Sequence, residues 1–253
     1  MANIVNQDYW NKQYKDVLFQ KLDDNHYLSP FIEQFIPFNE HGKAIEIGCY
    51  PCRYLSFIGN KGYEINGIDL NPDTPQLFEI IKEAGYRVGK VITQDFTKIN
   101  EKEKYDIVCS FGFVEHFTNL DEIILKHANI VAPNGYLIIE TPNFNGWGQY
   151  LFHYLFDTPN LRRHVKKNMD PFLWVDILKK NTLDFEILCC QYCGGIDFWT
   201  DKDQSKIQNF FAKIIKRIWW AIKFIFPFIH FPQINNKTFS RSCILIAKRN
   251  SNE

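Results

Sequence analysis

The stretch Ala44-Ile45-Glu46-Ile47-Gly48-Cys49-Tyr50-Pro51-Cys52-Arg53, followed by Glu64-Ile65-Asn66-Gly67-Ile68-Asp69, decides the fold. Its first four residues read as a strand, residues 48–53 as a loop, and residues 64–69 as a second strand that stops at an acid. Asp69 stands 21 residues after Gly48. In a doubly wound α/β sheet the first strand-to-helix turn faces the ligand, and an acid about 20 residues on reaches ribose hydroxyls. The spacing therefore points to an adenosine-bearing cofactor.

Working outward, the pattern repeats. Residues 53–60 read as a helix after the loop, Pro75 opens a helix ending near Gly85, and Arg87 to Ile92 is a third strand leading to Asp95-Phe96. Tyr105 to Cys109 is the fourth strand, a helix runs from Asn119 or Asp121 to Val131, and Pro133-Asn134-Gly135 turns into a fifth strand, Tyr136 to Glu140. Such alternation is a parallel sheet with crossover helices on both faces. Before it, residues 1–40 are helical, with one helix from Tyr9 through Phe19 and a short one opening at Ser29-Pro30. After Glu140 the pattern loosens. Residues 141–170 read as an irregular aromatic insertion, Pro171 to Lys180 as a helix, and 184–193 as a sixth strand. A second insertion, 194–237, precedes a seventh strand from Thr238 to Lys248. The expectation is one domain over 1–253, with its cofactor-binding core at 41–140.

Loop chemistry narrows the cofactor. A pyrophosphate needs Gly-x-Gly-x-x-Gly, because bare backbone must approach the helix N-terminus. Here only Gly48 is present, with Tyr50 and Cys52 where glycines would serve. A cofactor without phosphates is less demanding, and S-adenosylmethionine is one. At Glu46-Ile47-Gly48-Cys49-Tyr50-Pro51-Cys52 the chain resembles the class I S-adenosylmethionine-dependent methyltransferases, whose first motif reads acid-x-Gly-x-Gly-x-Gly. Since Tyr and Cys tolerate positive φ poorly, a working loop is expected to keep negative φ at positions 50 and 52. The resemblance implies a Rossmann-like, mostly parallel sheet of seven strands whose last strand is antiparallel.

It also implies residue roles. Asp69, with Leu70 beside it, would hold the ribose, and Asp95-Phe96 would clamp the adenine. Glu46 would accept from the methionine ammonium, while Gly48, Tyr50, Ser110 and Phe111 would line the cofactor. After strand four comes Ser110-Phe111-Gly112-Phe113-Val114-Glu115-His116-Phe117, at the carboxyl edge where ligands bind. A histidine there can take a hydroxyl's proton near neutral pH, so His116 is the candidate base and Glu115 the next. The competing reading is that the pair caps the following helix. Glu-His here also resembles small-molecule methyltransferases of the ubiquinone O-methyltransferase type. Some of those carry a further Glu three residues earlier as a metal ligand; Gly112 stands there, and no metal site is expected.

Thr141-Pro142-Asn143-Phe144-Asn145-Gly146-Trp147, with Leu161-Arg162-Arg163-His164, Met169 and Gly194-Gly195, resembles methyltransferases encoded with capsule and lipopolysaccharide synthesis enzymes. This implies a small carbohydrate-type acceptor: a hydroxyl on a sugar, a nucleotide-sugar or another capsule precursor, with Asn143 and His164 in contact. Either residue could instead order the insertion. Tyr9-Trp10-Asn11 and Tyr14 resemble an N-terminal Trp-Asn signature that closes over the cofactor; an amphipathic helix packed on the body is the alternative.

The net charge of zero hides a split. Residues 1–205 carry 20 basic against 28 acidic side chains, and residues 206–253 carry nine against Glu253 alone. The acidic body argues against nucleic acid as substrate. Within 206–226, Ile207, Phe210, Phe211, Ile214, Ile215, Ile218, Ile222 and Ile225 fall on one helical stripe, with Lys213, Lys216, Arg217 and Lys223 around it. That is either an interfacial membrane anchor or a lid or homodimer helix. No signal peptide is read at Met1 to Trp10 and no run of about 18 apolar residues occurs, so the expected place is the cytoplasm, peripheral at the inner face of the membrane if the helix is an anchor. The pairs Cys49/Cys52 and Cys190/Cys193 read as reduced, buried small residues rather than a zinc knuckle. Outside O-methyl transfer, two readings stand: an N-methyltransferase, and a degenerate fold serving as a binding scaffold.

Overall fold

A computed structural model describes residues 3–251 except 16, 18, 201–202 and 227–233. Its centre is one seven-stranded sheet in the order β3-β2-β1-β4-β5-β7-β6. The strands are β1 (Lys43–Ile47), β2 (Glu64–Asp69), β3 (Val88–Thr93), β4 (Tyr105–Phe111), β5 (Val131–Pro142), β6 (Phe185–Ile196) and β7 (Ser240–Arg249). β1 through β5 pair in parallel; β7 enters between β5 and β6 and runs antiparallel to both. The expected fold class is thus the observed one. Chain order reverses between β1 and β4, and there the carboxyl ends open a crevice.

The strands are apolar because both faces are covered. On one face Ile45, Val108 and Leu137 pack under α5 (Leu120–Asn129) and α8 (Pro171–Lys180), with Trp174 fully buried. On the other, Ala44, Ile107 and Ile138 meet Leu28, Ile32, Ile36 and Phe57 from the α2 (Ser29–Phe35) and α3 (Leu55–Asn60) side. A third cluster joins the loop cysteines Cys49 and Cys52 to Leu77, Phe78 and Ile81 of α4 (Thr74–Glu83). Helix starts follow local chemistry. Asp170 caps α8, its side chain accepting from Phe172 N, with Pro171 in the first turn.

Several boundaries differ from the sequence reading. The first helix, α1 (Gln7–Gln13), stops well before Phe19, and positions 16 and 18 lie outside the described residues. β5 begins at Val131: Tyr105 pairs with Val131 and Ile107 with Tyr136, so residues 132–135 bulge out, with Asn134 at φ +62°. The insertion at 141–170 is ordered, as α6 (Trp147–Phe156), α7 (Thr158–Arg162) and a 3-10 turn, Lys166–Asn168. The second insertion carries α9 (Lys206–Ile225), opened by a capping box between Ser205 and Gln208; 227–233 lie outside the described residues. Among the described residues no helix is long and apolar enough to cross a membrane.

Candidate active site

Two adjoining cavities occupy the crevice. The first, about 190 Å³, is walled by Gly48, Asp69, Leu70, Asp95, Phe96 and Phe111. The second, about 370 Å³, is walled by Glu46, Glu115, His116, Glu140, His164 and Arg241. Trp10, Tyr14, Gly48, Tyr50, Phe111, Gly112 and His116 belong to both, so the two meet at the mouth of the loop.

The loop holds this junction open. Gly48 has φ +71°, and a Cβ there would lie 2.3 Å from Phe113 Cδ2. Only glycine leaves this space beside the ring. Tyr50 is not in the left-handed region, as expected, but Cys52 is, at φ +62°. That corrects the expectation of negative φ at both positions. A fully buried side chain among Leu55, Leu77 and Phe78 holds Cys52 there against a backbone cost of about 1–2 kcal/mol.

Asp69 folds back on the loop: Oδ2 accepts from Tyr50 N at 2.9 Å and Oδ1 from Asn71 N at 2.8 Å. Burial pushes its pKa up, and the Tyr50, Asn71 and Leu70 N–H groups oppose this. Asp95 accepts from Thr97 N at 2.9 Å and Thr97 Oγ1 at 2.7 Å. Burial alone would raise its pKa, but the Thr97 bonds and Lys98 outweigh it and hold the carboxyl below the usual range. Glu46 is fully buried, its Oε2 has no hydrogen-bond partner, and burial followed by the Asp69 charge drives its pKa well up. An unpartnered buried carboxyl oxygen on the second cavity's wall, two residues from Gly48, fits a ligand bearing an ammonium or sulfonium. S-adenosylmethionine carries both, and the bare cradle at Gly48 leaves it room.

His116 sits on a 3-10 turn, Val114–His116, just past β4. The turn is braced from the insertion: Val165 N donates to Glu115 O at 2.8 Å, and Asn168 Nδ2 to Phe117 O at 2.7 Å. Trp174 Nε1 in turn donates to Asn168 O. His116 Nδ1 lies 2.8 Å from Arg163 O, which assigns that nitrogen the proton and turns Nε2 toward Glu115 Oε1, 3.8 Å away. Burial lowers the His116 pKa to about 4; the Arg163 carbonyl opposes the shift, the Arg163 charge adds to it, and the Gly112 carbonyl again opposes. The imidazole is therefore neutral at ordinary pH, with a lone pair to offer. Glu115 is pushed well up by burial and by Glu140. His164 is lowered by burial and by His116.

His164 does line the second cavity, its Nε2 3.9 Å from Glu115 Oε1. The absence of a third donor in sequence was the reason to expect no metal set; in three dimensions His164 supplies one. Asn143 does not join the site. It is fully buried, Nδ2 donating to Lys237 O and Ser240 O and Oδ1 accepting from Gly146 N, so it pins the insertion to β7. Ser110 is likewise a correction: fully buried in β4, it lines neither cavity.

Sequence reading missed part of the wall. Glu140, at the end of β5, accepts from Tyr27 OH at 2.8 Å, and Tyr27 OH is 3.0 Å from Ser242 Oγ. Arg241 reaches Asp197 Oδ2 at 2.9 Å, and its guanidinium lies over the Tyr27 ring. Only the strand-end position of Glu140 could have flagged it. Trp10 closes the other side, edge-on to His116 at 5.0 Å and stacked on Tyr14 at 5.9 Å.

Residues 19–180 match the family profile of a methyltransferase domain. The ubiquinone biosynthesis O-methyltransferase of Rickettsia prowazekii (strain Madrid E) is 21% identical over 217 residues, 81% of this chain and 82% of that protein. Its namesake in Burkholderia multivorans (strain ATCC 17616 / 249) is 26% identical over 152 residues, 56% of this chain and 65% of that protein. A crystal structure of an S-adenosylmethionine-dependent methyltransferase from Archaeoglobus fulgidus superposes with a TM-score of 0.51 at 21% identity, covering 87% of this chain and 92% of that one. None of these three is named for polysaccharide synthesis.

Proposed function

This chain belongs to the methyltransferase-domain family, and we propose that it is an S-adenosylmethionine-dependent O-methyltransferase acting on a hydroxyl of a small carbohydrate-type acceptor: a sugar, a nucleotide-sugar or another capsule precursor. The observation that carries this reading is the junction. A cavity with an adenosine-type acid pair meets a larger polar cavity beside the neutral imidazole of His116.

S-adenosylmethionine, when bound, supplies an electrophilic methyl on a sulfonium. Asp69 and Leu70 would hold the ribose, Asp95 and Phe96 the adenine, and Glu46, Gly48, Tyr50 and Phe111 the methionine end. In the larger cavity the acceptor hydroxyl would lie against His116 Nε2, which would take its proton as the carbon–oxygen bond forms and the methyl's bond to sulfur breaks, leaving the neutral thioether. His116 Nδ1, held by Arg163 O, keeps the ring aimed. Exclusion of water falls to Trp10 and Tyr14, and the rest is alignment.

Acceptor class follows from the wall. Glu140, Arg241, Ser242 and Asn160 present polar groups between the aromatic faces of Trp10, Tyr54 and Trp199. Aromatic faces with flanking acids and bases suit a ring bearing many hydroxyls. The relatives' names favour oxygen over nitrogen as acceptor atom.

On the same reading α9 faces an anionic membrane surface. Within it only Ala212 is buried, whereas Ile207 is 71% and Phe224 72% exposed. Trp147, Leu151, Tyr154 and Leu155 of neighbouring α6 are exposed as well. Five basic side chains on α9 with no acidic one complement anionic lipid; a homodimer is the other occupant that a test must separate.

The functional test offers the protein S-adenosylmethionine with a deuterated methyl group and a panel of nucleotide-sugars, followed by mass spectrometry and NMR of the product. A methyl ether on a sugar oxygen is expected, and His116→Ala should lower kcat by ~10²–10⁴ with little change in cofactor affinity. An N-methylated product, or full activity in the variant, would replace this reading.

A further inference from the structure

We propose that Glu115, His116 and His164 form a seat for one divalent transition-metal ion on the wall of the acceptor cavity. One donor atom from each lies within 4.8 Å of the others, and all three residues are buried or nearly so. Glu115 Oε1 is 3.8 Å from His116 Nε2 and 3.9 Å from His164 Nε2. The role given to the ion rests on the methyltransferase reading of the cavity; the seat itself does not.

The hydrogen-bond pattern leaves a cation as the natural occupant. His116 Nδ1 is 2.8 Å from Arg163 O and His164 Nδ1 is 2.7 Å from Asn160 O. Each carbonyl requires its ring proton on Nδ1, so both Nε2 atoms present lone pairs. Neither Glu115 carboxyl oxygen has a hydrogen-bond partner. Two imidazole lone pairs and the Glu115 carboxyl therefore converge with no hydrogen bond among them, at separations too long for a shared proton. Donors about 2.1 Å from a tetrahedral ion stand about 3.4 Å apart, so inward shifts of well under an ångström close the set. Backing each ligating imidazole by a carbonyl on its other nitrogen is the support that metal-binding histidines use.

Two imidazoles and one carboxylate favour zinc, cobalt, iron or nickel over magnesium, which prefers oxygen throughout. Three protein ligands leave an open position toward the cavity for an acceptor oxygen. The seat is rigid on both sides: the 3-10 turn is clamped by Asn168, and the segment after α7 is tied to it through Val165 N and Glu115 O. A seated ion and a free base use the same His116 lone pair. In the loaded chain the ion would lower the pKa of a coordinated hydroxyl so that its proton leaves to water, and in the metal-free chain His116 would take that proton.

The test uses the full-length chain stripped with a chelator and titrated with cobalt(II), read by visible absorption, and with zinc(II), read by calorimetry. One ion per chain is expected, with cobalt bands of a nitrogen–oxygen site. His164→Ala should weaken binding at least about 100-fold, while His164→Asp, which keeps a donor, should retain part of it. Should His164→Ala fail to fold, Glu115→Gln is measured in its place, with the same loss expected. S-adenosylhomocysteine affinity, measured on the same samples, should not change. Absence of stoichiometric binding to the wild-type chain, a thiolate-to-cobalt charge-transfer band placing the ion on cysteine, or unchanged affinity in the variants would overturn the proposal. S-adenosylhomocysteine binding without cobalt binding would remove the seat and leave the methyltransferase reading standing; the reverse result would do the opposite.

Discussion

Replacing Asp69 with Asn separates what this carboxylate does for the fold from what it does for the cofactor. In the free chain its two oxygens accept from Tyr50 N and Asn71 N at 2.9 and 2.8 Å. An amide keeps one acceptor and turns the other into a donor, so one backbone N–H loses its partner. For a mostly buried N–H that costs about 1–3 kcal/mol of stability, and a 2 kcal/mol loss lowers Tm by roughly 4–8 °C in a chain of this size. The remaining lone pairs of the carboxylate are those the ribose hydroxyls would use. Losing charge-assisted bonds there costs a further ~1.5–3 kcal/mol of binding, which is about 10- to 150-fold in Kd. Thermal unfolding without ligand reads the first effect, and calorimetry with S-adenosylhomocysteine, well below Tm, reads the second. A folded variant whose Kd stays within about threefold of wild type would show that Asp69 serves the loop alone.

Gly48→Ala should be harsher, because the left-handed backbone costs about 1–2 kcal/mol and displacing Phe113 about 1–3 more; urea unfolding and cofactor titration should both register it, and normal values in both would refute the cradle. His127, buried against Phe96 and held at about 4 by burial, gives a pH test. Its folded pKa lies below the unfolded value of about 6.5, so its contribution is complete above that pH and is lost as pH falls from 6.5 toward 4, by on the order of 3 kcal/mol. Urea unfolding of His127→Phe should show a shallower decline over that range, and an identical slope would exclude the assignment. For α9, the wild-type chain should co-sediment with anionic vesicles at low salt, and Lys216→Glu with Arg217→Glu should abolish this; a concentration-dependent dimer without vesicle binding would instead assign the exposed stripe to a second copy.

The sheet was legible because burial on both faces writes strands as apolar runs, and Gly, Pro and Asp mark where they end. Asp69 and Asp95 were legible for the same reason: strand ends at fixed spacing put them in the crevice whatever the loops do. His164 was singled out as a substrate contact, but its meeting with Glu115, 49 residues earlier, was not visible. That meeting depends on Asn168 and Val165 docking the insertion onto the 3-10 turn, and no local periodicity encodes it. Asn143 misled for the opposite reason. A polar residue just past a strand end looks like a ligand contact, yet its three hydrogen bonds are all to backbone. Arg241 reaches the wall because β7 inserts beside β5, a topological fact rather than a motif, whereas Glu140 is there by its own place near the end of β5.

The proposed division puts the nucleoside in the first cavity and the acceptor in the second, with the methionine end reaching past Gly48 to Glu46 beside His116. It is tested most directly by a crystal structure of the chain with S-adenosylhomocysteine. The nucleoside is expected between Asp69 and Asp95, the amino acid end at Glu46, and the sulfur at Gly48 and Phe111, open toward His116. A nucleoside lodged in the cavity of Glu140 and Arg241, or a sulfur turned away from His116, would contradict it.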